Sequence, residues 1–323
     1  MNVFSSEAYL FAVADAFFPG RPRRIEARQV GGNTYKMLVL ERHGLKPEKT
    51  VPWLPFMDFL EPCNDASAAS GPFLPAVSHG KVSAQEWLSM PAHSGFQCSP
   101  TVDFTLFPTW DAFLAYSRAQ SPAGFMGNRQ RQARKLYELR GMEMRWNDET
   151  EDALTLVLGW KSEQYRGAGY VDAFASAELV ASFERLRERG KLIVSTLRLD
   201  GKIVAGHAGL EHEGRFYYWL PAYDKAFAKD SVGAILLEWM IEHAYQLGVK
   251  EFDFLLGSEK YKWAYATHSR LVGPLGKEAL SVRTWRPVRA RVIKQIRKHS
   301  GVYARLQELK RRMLYVRMGM SGY

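Results

Sequence analysis

Cysteine is nearly missing from this 323-residue chain: Cys63 and Cys98 are the whole complement. Neither belongs to a CxxC or to a metal-ligand spacing, which excludes a disulfide scaffold and gives no metal centre. Two reduced thiols fit a cytoplasmic protein. Long hydrophobic runs are also missing. No stretch approaches the ~18 apolar residues that a membrane-spanning helix needs. The opening segment MNVFSSEAYLFAVADAFFPG has no basic region ahead of its apolar residues and carries Glu7 and Asp15 within them. It reads as an amphipathic helix and not as a signal peptide. The catalytic signatures GxSxG, HExxH, the P-loop and GxGxxG do not occur, so a serine hydrolase, zinc protease, NTPase or dinucleotide dehydrogenase is not expected. Acidic residues are in deficit, 34 against 44 Lys and Arg, for a formal net charge of +10. That balance favours an anionic partner: a phosphate-bearing ligand, a nucleic acid or a membrane surface.

What is present reads as a mixed α/β chain. A helix is expected over Ser5 to Phe17. Strands from Arg23 to Val30 and from Asn33 to Arg42 flank the hairpin signal Gly31-Gly32. Pro52, Pro55 and Pro62 keep VPWLPFMDFLEP out of a helix or a central strand. Residues 64–75 read as a loop and TVDFTLF (101–107) as a strand. Helices follow from Thr109 to about Ala119 and through the arginine-rich segment that Gly141 ends. MEMRW is a short strand. Asp148 and Glu151 have the spacing of a capping box. Leu154, Val157, Leu158 and Lys161 then recur at helical spacing. After a helix from Ala177 to Arg189, three alternating segments turn at Asp200-Gly201 and Glu213-Gly214, an antiparallel meander. A helix from Ser231 to Leu247 and a strand beginning at Glu251 complete the pattern. From Arg283 onward the tail holds twelve Lys or Arg against a single acid, Glu308. It reads as one or two basic amphipathic helices, open to membrane surface, nucleic acid or plain solvent.

Four groups of residues could carry chemistry. The helix start near Lys229, Ser231, Val232, Gly233 and Ala234 offers unpaired amides and small side chains, an anion site if a ligand can approach. The plain alternative is an ordinary capped helix in which Gly233 merely eases packing. EFDFLLGSEKYKWAY delivers Asp253, Glu259, Tyr261 and Lys262 just past a strand end, where open α/β sheets hold ligands; a solvated loop is the plain alternative. His207 and Tyr218 lie in the meander, as core residues or as groups able to move a proton. Arg129 to Arg140 form either a solvated face or a phosphate clamp.

Three segments together, RQRQARKLYELRG, LRLDGKIVAGHAGLEHEGRFYYWLPAYD…SVGAILLEWM and FDFLLGSEKYKWAY, resemble the acetyltransferase-like domain of the GNAT superfamily. The likeness is to the type found in bacterial exopolysaccharide and cellulose-biosynthesis proteins, related to the Fem-type aminoacyltransferases. It covers about residues 125 to 270. It implies tandem GNAT-like mixed sheets flanked by helices: a degenerate N-terminal half (1–120), an acyltransferase domain (121–280) and a basic helical tail (281–323). It also implies two strands that splay to admit an acyl donor, acetyl-coenzyme A or another acyl-coenzyme A, with no metal. The family's pyrophosphate loop maps onto Ser231 to Ala234, although Ala228 stands where a basic residue belongs and Ser231 replaces the first glycine. Direct attack by an amine or hydroxyl then needs a base, for which Asp253, Glu259 and His207 are the candidates. Lys262 would stabilise developing negative charge, and Tyr218 or Tyr261 would protonate the leaving sulfur. Two alternatives stay open: an aminoacyl-tRNA-dependent transferase, and a non-catalytic scaffold in polysaccharide biosynthesis. The implied location is cytoplasmic, with the tail available to the inner-membrane surface or to tRNA.

Overall fold

The computed structural model describes residues 2–275, apart from 52, 53, 55, 64–73, 91–95, 122–124 and 171. The basic tail, and most of the loop expected over 64–75, lie outside the described residues.

Alternating polar and apolar residues build two sheets. A hairpin of β1 (Arg23–Val30) and β2 (Asn33–Leu40), joined through Gly31 and Gly32 at φ +57° and +85°, takes β3 (Lys49–Val51) as a third strand. The larger sheet comprises β4 (Leu74–Val82), β5 (Gln97–Asp103), β6 (Glu143–Arg145), β7 (Leu192–Leu199), β8 (Lys202–His212), β9 (Arg215–Tyr223), β10 (Glu251–Asp253) and β11 (His268–Leu275). Their order is β4-β11-β5-β10-β9-β8-β7-β6. Every pairing is antiparallel except β9 with β10, which run parallel. The sheet therefore takes strands from both sides of residue 120. The meander β7-β8-β9 turns where expected, with Asp200-Gly201 and Glu213-Gly214 all at positive φ, as two-residue hairpin turns require.

Helices cover both faces. On one lie α1 (Glu7–Phe17), α5 (Glu151–Gly167) and α6 (Ala177–Glu188), whose apolar stripes close a core around Phe4, Val157, Phe183, Tyr217 and Trp219. On the other, α3 (Trp110–Gln120), α4 (Phe125–Arg140) and α7 (Val232–Gln246) enclose Phe113, Leu136, Phe216, Met240 and Phe252. Two short helices, α2 (Ala84–Ser89) and α8 (Lys260–Trp263), cap loops. The expected mixed sheet flanked by helices is what the chain forms.

Four local expectations need correction. The strand expected over 101–107 lies at 97–103, because Asp103 accepts the Thr105 amide at 3.0 Å and coils Phe104–Leu106 into a 3₁₀ turn. Leu74 and Pro75 belong to β4, an edge strand where proline costs no ladder bond. Asp148 does not cap α5; the N-cap is Thr150. Asp148 is instead buried, and accepts from Thr196 Oγ1 at 2.6 Å and Arg198 Nη2 at 2.7 Å. Finally, α7 begins at Val232, with Ser231 preceding it in the left-handed region (φ +53°).

Candidate functional site

β10 pairs with β9 over three residues, Glu251 with Arg215, Phe252 with Phe216 and Asp253 with Tyr217. There the two strands part. The chain beyond Asp253 stays with β5: the Phe254 amide donates to Pro100 O at 2.9 Å and the Gly257 amide to Cys98 O at 3.0 Å. Leu255 turns it through φ +58°, a conformation strained for a side chain with a Cβ. Meanwhile β9 continues through Tyr218–Tyr223 alongside β8. The sheet opens between them.

A cleft of about 490 Å³ fills this opening. From the α7 face it is lined by Ser231, Val232, Gly233 and Ala234 at the helix start and by Arg129 of α4. From the α5 face come Lys161 and Gln164, and from the strands and loops Tyr218, Tyr223, Lys225 and Tyr261. No carboxylate is among the described residues that line it. Ala234 and Ile235 donate their amides back to Ser231 O at 2.9 and 3.0 Å. For the amides of Val232 and Gly233 no acceptor is recorded among the described residues, and Ser231 makes no side-chain cap. These bare N–H groups and the positive end of a 15-residue helix face a cationic cleft. A Cβ at Gly233 would come within 3.3 Å of the Tyr223 ring, so the glycine keeps this wall open.

Of the residues singled out in the sequence, the cleft gathers Tyr218, Tyr261, Ser231, Val232, Gly233 and Ala234. Lys229 lies outside its lining, with its carbonyl accepting from Gln132 Nε2 at 3.1 Å. Asp253 is fully buried and accepts from Ser99 Oγ (2.7 Å), the Leu255 amide (2.9 Å) and Arg270 Nη1 (3.0 Å). Lys262 is buried too; it donates to Leu256 O at 3.0 Å and pairs with exposed Glu259 at 2.9 Å. That staple holds the turn which leads the chain away from β9. His207 sits behind the cleft wall, its ring stacked on Tyr218 at 4.3 Å and 3°. Its Nε2 accepts the Trp219 amide at 2.9 Å, while Nδ1 has no partner among the described residues. Burial, with Lys161 nearby, holds His207 well below the usual imidazole range, so the ring is neutral. Burial, then Tyr261 and Tyr265, raises the Tyr218 phenol well above the ordinary value.

Lys161 lines the cleft without being among the site residues expected from the sequence. Its signal was there: a cation at the fourth position of the apolar stripe 154, 157, 158, 161. The ammonium donates to Pro221 O at 2.8 Å and Gln164 Oε1 at 3.3 Å. Burial pushes it down to about 8, against an opposing pull from Glu259 and with help from Lys262. Within the arginine-rich helix, Arg129 alone of the arginines lines the cleft, bonding Glu238 Oε1 and Tyr265 Oη at 2.8 Å each.

Residues 124–263 match the model of the acetyltransferase (GNAT) domain family, a little under half of the 323-residue chain. The matched stretch contains every described residue that lines the cleft. No curated protein matches the sequence. Among solved structures the chain is similar to FemX, with a TM-score of 0.52 at 10% identity over 85% of this chain and 91% of that one. L-PGS from Bacillus licheniformis aligns with a TM-score of 0.45 at 12% identity, over 85% of this chain and 88% of its own. A GNAT family acetyltransferase from Brucella melitensis, in complex with acetyl-CoA, covers 43% of this chain and 96% of its own at 16% identity, with a TM-score of 0.32. The likeness to FemX is one of fold.

Proposed function

We propose that the protein is an acyltransferase that moves an acyl group from a coenzyme A thioester, acetyl-coenzyme A being the simplest, to an amine or hydroxyl. One observation carries the reading: two parallel strands part at Asp253 and Tyr217, and the gap faces uncapped amides at the start of α7. An anionic donor suits that corner. Its phosphates would take the Val232 and Gly233 amides, with Arg129 and Lys225 adding charge across a cleft whose described lining has no carboxylate. The acyl carbon would then lie in the splay beside Tyr218, whose phenol can protonate the departing thiolate. Of the roles expected from the chemistry of direct attack, those of Asp253, Glu259, His207 and Lys262 become supporting ones: each holds a turn or a ring at the cleft wall. The resemblance supplies the acceptor class, a small molecule or a saccharide-linked group.

Thermal unfolding of the full chain with acetyl-coenzyme A tests this. A ligand at 100 times its Kd adds about 2.7 kcal/mol of stability, and Gly233→Val, whose side chain would crowd the Tyr223 ring, should cut that gain to about 1.4 kcal/mol or less. A second reading takes its acyl group from an aminoacyl-tRNA. Ala228 and Ser231, which break the pyrophosphate signature, favour it, as does the net charge of +10. Its binding should weaken steeply with salt, with the slope set by the number of phosphates neutralised. If neither donor binds, the transferase proposal fails and a non-catalytic scaffold remains.

A further inference from the structure

We propose that Lys161 is the general base of the transfer, taking the proton from the attacking amine or hydroxyl. The inference rests on the acyltransferase reading and deepens it. A base must be in the cleft, able to be deprotonated, and have a free lone pair. The three groups suggested by sequence fail the first condition. Asp253 is fully buried, with its carboxylate committed to Ser99 and Arg270. His207 lies behind Tyr218 and uses Nε2 to accept the Trp219 amide. Glu259 is turned to Lys262 and does not line the cleft. No carboxylate or imidazole lines it among the described residues.

Lys161 meets all three conditions. It enters from α5, across the sheet opening from the α7 amides that would hold the donor, so the acceptor would come between them. Its recorded partners, Pro221 O and Gln164 Oε1, are both neutral oxygens, and no ion pair to it is recorded among the described residues. A neutral amine has two N–H bonds, and these two oxygens take both. The lone pair is left over for the cleft. Pro221 belongs to the part of β9 that β10 has abandoned, so the splay fixes the base beside the acyl position. Charged and titratable groups around it are Glu259 and Lys262 near α8, Lys225 before α7, and His207, Tyr218 and Tyr261. Burial is the largest influence and favours the neutral form at mildly alkaline pH.

The step balances. The acceptor's nitrogen or oxygen forms a bond to the acyl carbon, and its proton passes to Lys161 Nζ, which becomes an ammonium. The carbon–sulfur bond breaks, the thiolate takes the Tyr218 proton, and solvent returns both groups to their starting states.

The experiment uses the full chain. Trace labelling with acetic anhydride across pH 6–11, read lysine by lysine by mass spectrometry, should give Lys161 a reactivity midpoint near pH 8. N-acetyl-lysine amide added to the same reaction serves as the reference amine, with the ordinary value of about 10.4. A Lys161 midpoint that coincides with this reference amine overturns the proposal. Thiol release from acetyl-coenzyme A, with ethanolamine as acceptor probe, should fall about 100-fold or more in both Lys161→Met and Lys161→Arg. The KM for acetyl-coenzyme A should stay constant, and the limb of the pH profile near 8 should vanish. An active Lys161→Arg variant would mean the residue serves only by its charge, and would also overturn the assignment. A wild type that binds no acetyl-coenzyme A in the unfolding assay sinks the donor reading, and the base role with it; normal binding with an unperturbed Lys161 variant sinks the base role alone.

Discussion

Asp148 shows how a single buried charge can be read two ways. Its spacing to Glu151 mimics a helix cap, yet its carboxylate is buried and gathers Thr196, Thr150 and Arg198. Burial alone would raise its pKa; those hydrogen bonds outweigh burial and hold the carboxyl well below the usual range. The folded state thus binds the proton less tightly than the unfolded chain. The resulting stability is fully present above about pH 5 and is lost as the solution is acidified below the ordinary carboxylate value. Asp148→Ala leaves Arg198 without its buried partner and should cost about 3–5 kcal/mol by urea unfolding at pH 7; a loss under 1 kcal/mol would refute this account. Asp58 behaves oppositely. Burial, only partly offset by the Leu256 amide and Lys262, lifts it to about 6. The folded protein holds that proton more tightly than the unfolded chain, so this stabilisation is whole below pH 4 and disappears as pH climbs through 6. Asp58→Asn keeps an acceptor for Leu256 and should raise stability at pH 8 by about 1–3 kcal/mol, with no gain near pH 4. Parallel stability curves for the two proteins would show that the carboxyl is not strained.

At the scale of elements, the start of α7 controls the cleft. Ser231 enters it at φ +53° and Gly233 faces the Tyr223 ring. Gly233→Val should weaken acetyl-coenzyme A binding at least tenfold by calorimetry, a change of about 1.4 kcal/mol, with the unfolding midpoint little moved. A variant that binds normally would remove the α7 amides from the donor site. This element was legible because its signals are local: small residues at a helix start after a meander punctuated by Asp-Gly and Glu-Gly. The splay was expected through resemblance, but its cause is long-range. Phe254 and Gly257 take carbonyls of β5, a strand some 150 positions earlier whose own boundaries were misplaced by four residues. The cleft's partition was equally hidden. Nothing in the alternation around Asp253 distinguishes a carboxylate aimed at substrate from one neutralised by Arg270, since β11 brings that arginine from another strand. Lys161 was visible as a charge on an apolar stripe, yet its meaning required knowing that β9 loses its neighbour at that level.

The whole molecule is tied across residue 120 by one ionic hub. The side chain of Arg270, buried in β11, reaches Glu61 (2.8 Å), Glu251 (2.5 Å), Asp253 (3.0 Å) and Thr101 (2.7 Å). Arg215 of β9 joins Glu61 at 2.9 Å and Glu251 at 2.6 Å, and Lys81 of β4 reaches Glu251 at 2.7 Å. Burial opposes ionisation of Glu251, but Arg270, Arg215 and Lys81 together hold it at about 2. The N-terminus is built in as well: the Val3 amide donates to Tyr217 Oη at 3.1 Å, and Phe4 packs edge-on against Tyr217 and Trp219. A fragment of residues 121–275 would lose β4 and β5, exposing both edges of β11 and one of β10, and would leave Arg270 without Glu61 and Thr101. Unpaired strand edges and a half-neutralised buried guanidinium both favour aggregation over folding. We therefore expect this fragment, although it contains every described residue of the cleft lining, to show collapsed amide dispersion by NMR and no cooperative urea transition. Coexpression with residues 1–120 should restore both. A well-dispersed spectrum from the fragment alone would mean that the hub and the shared sheet contribute little to folding, and that the division proposed at residue 120 separates independent units.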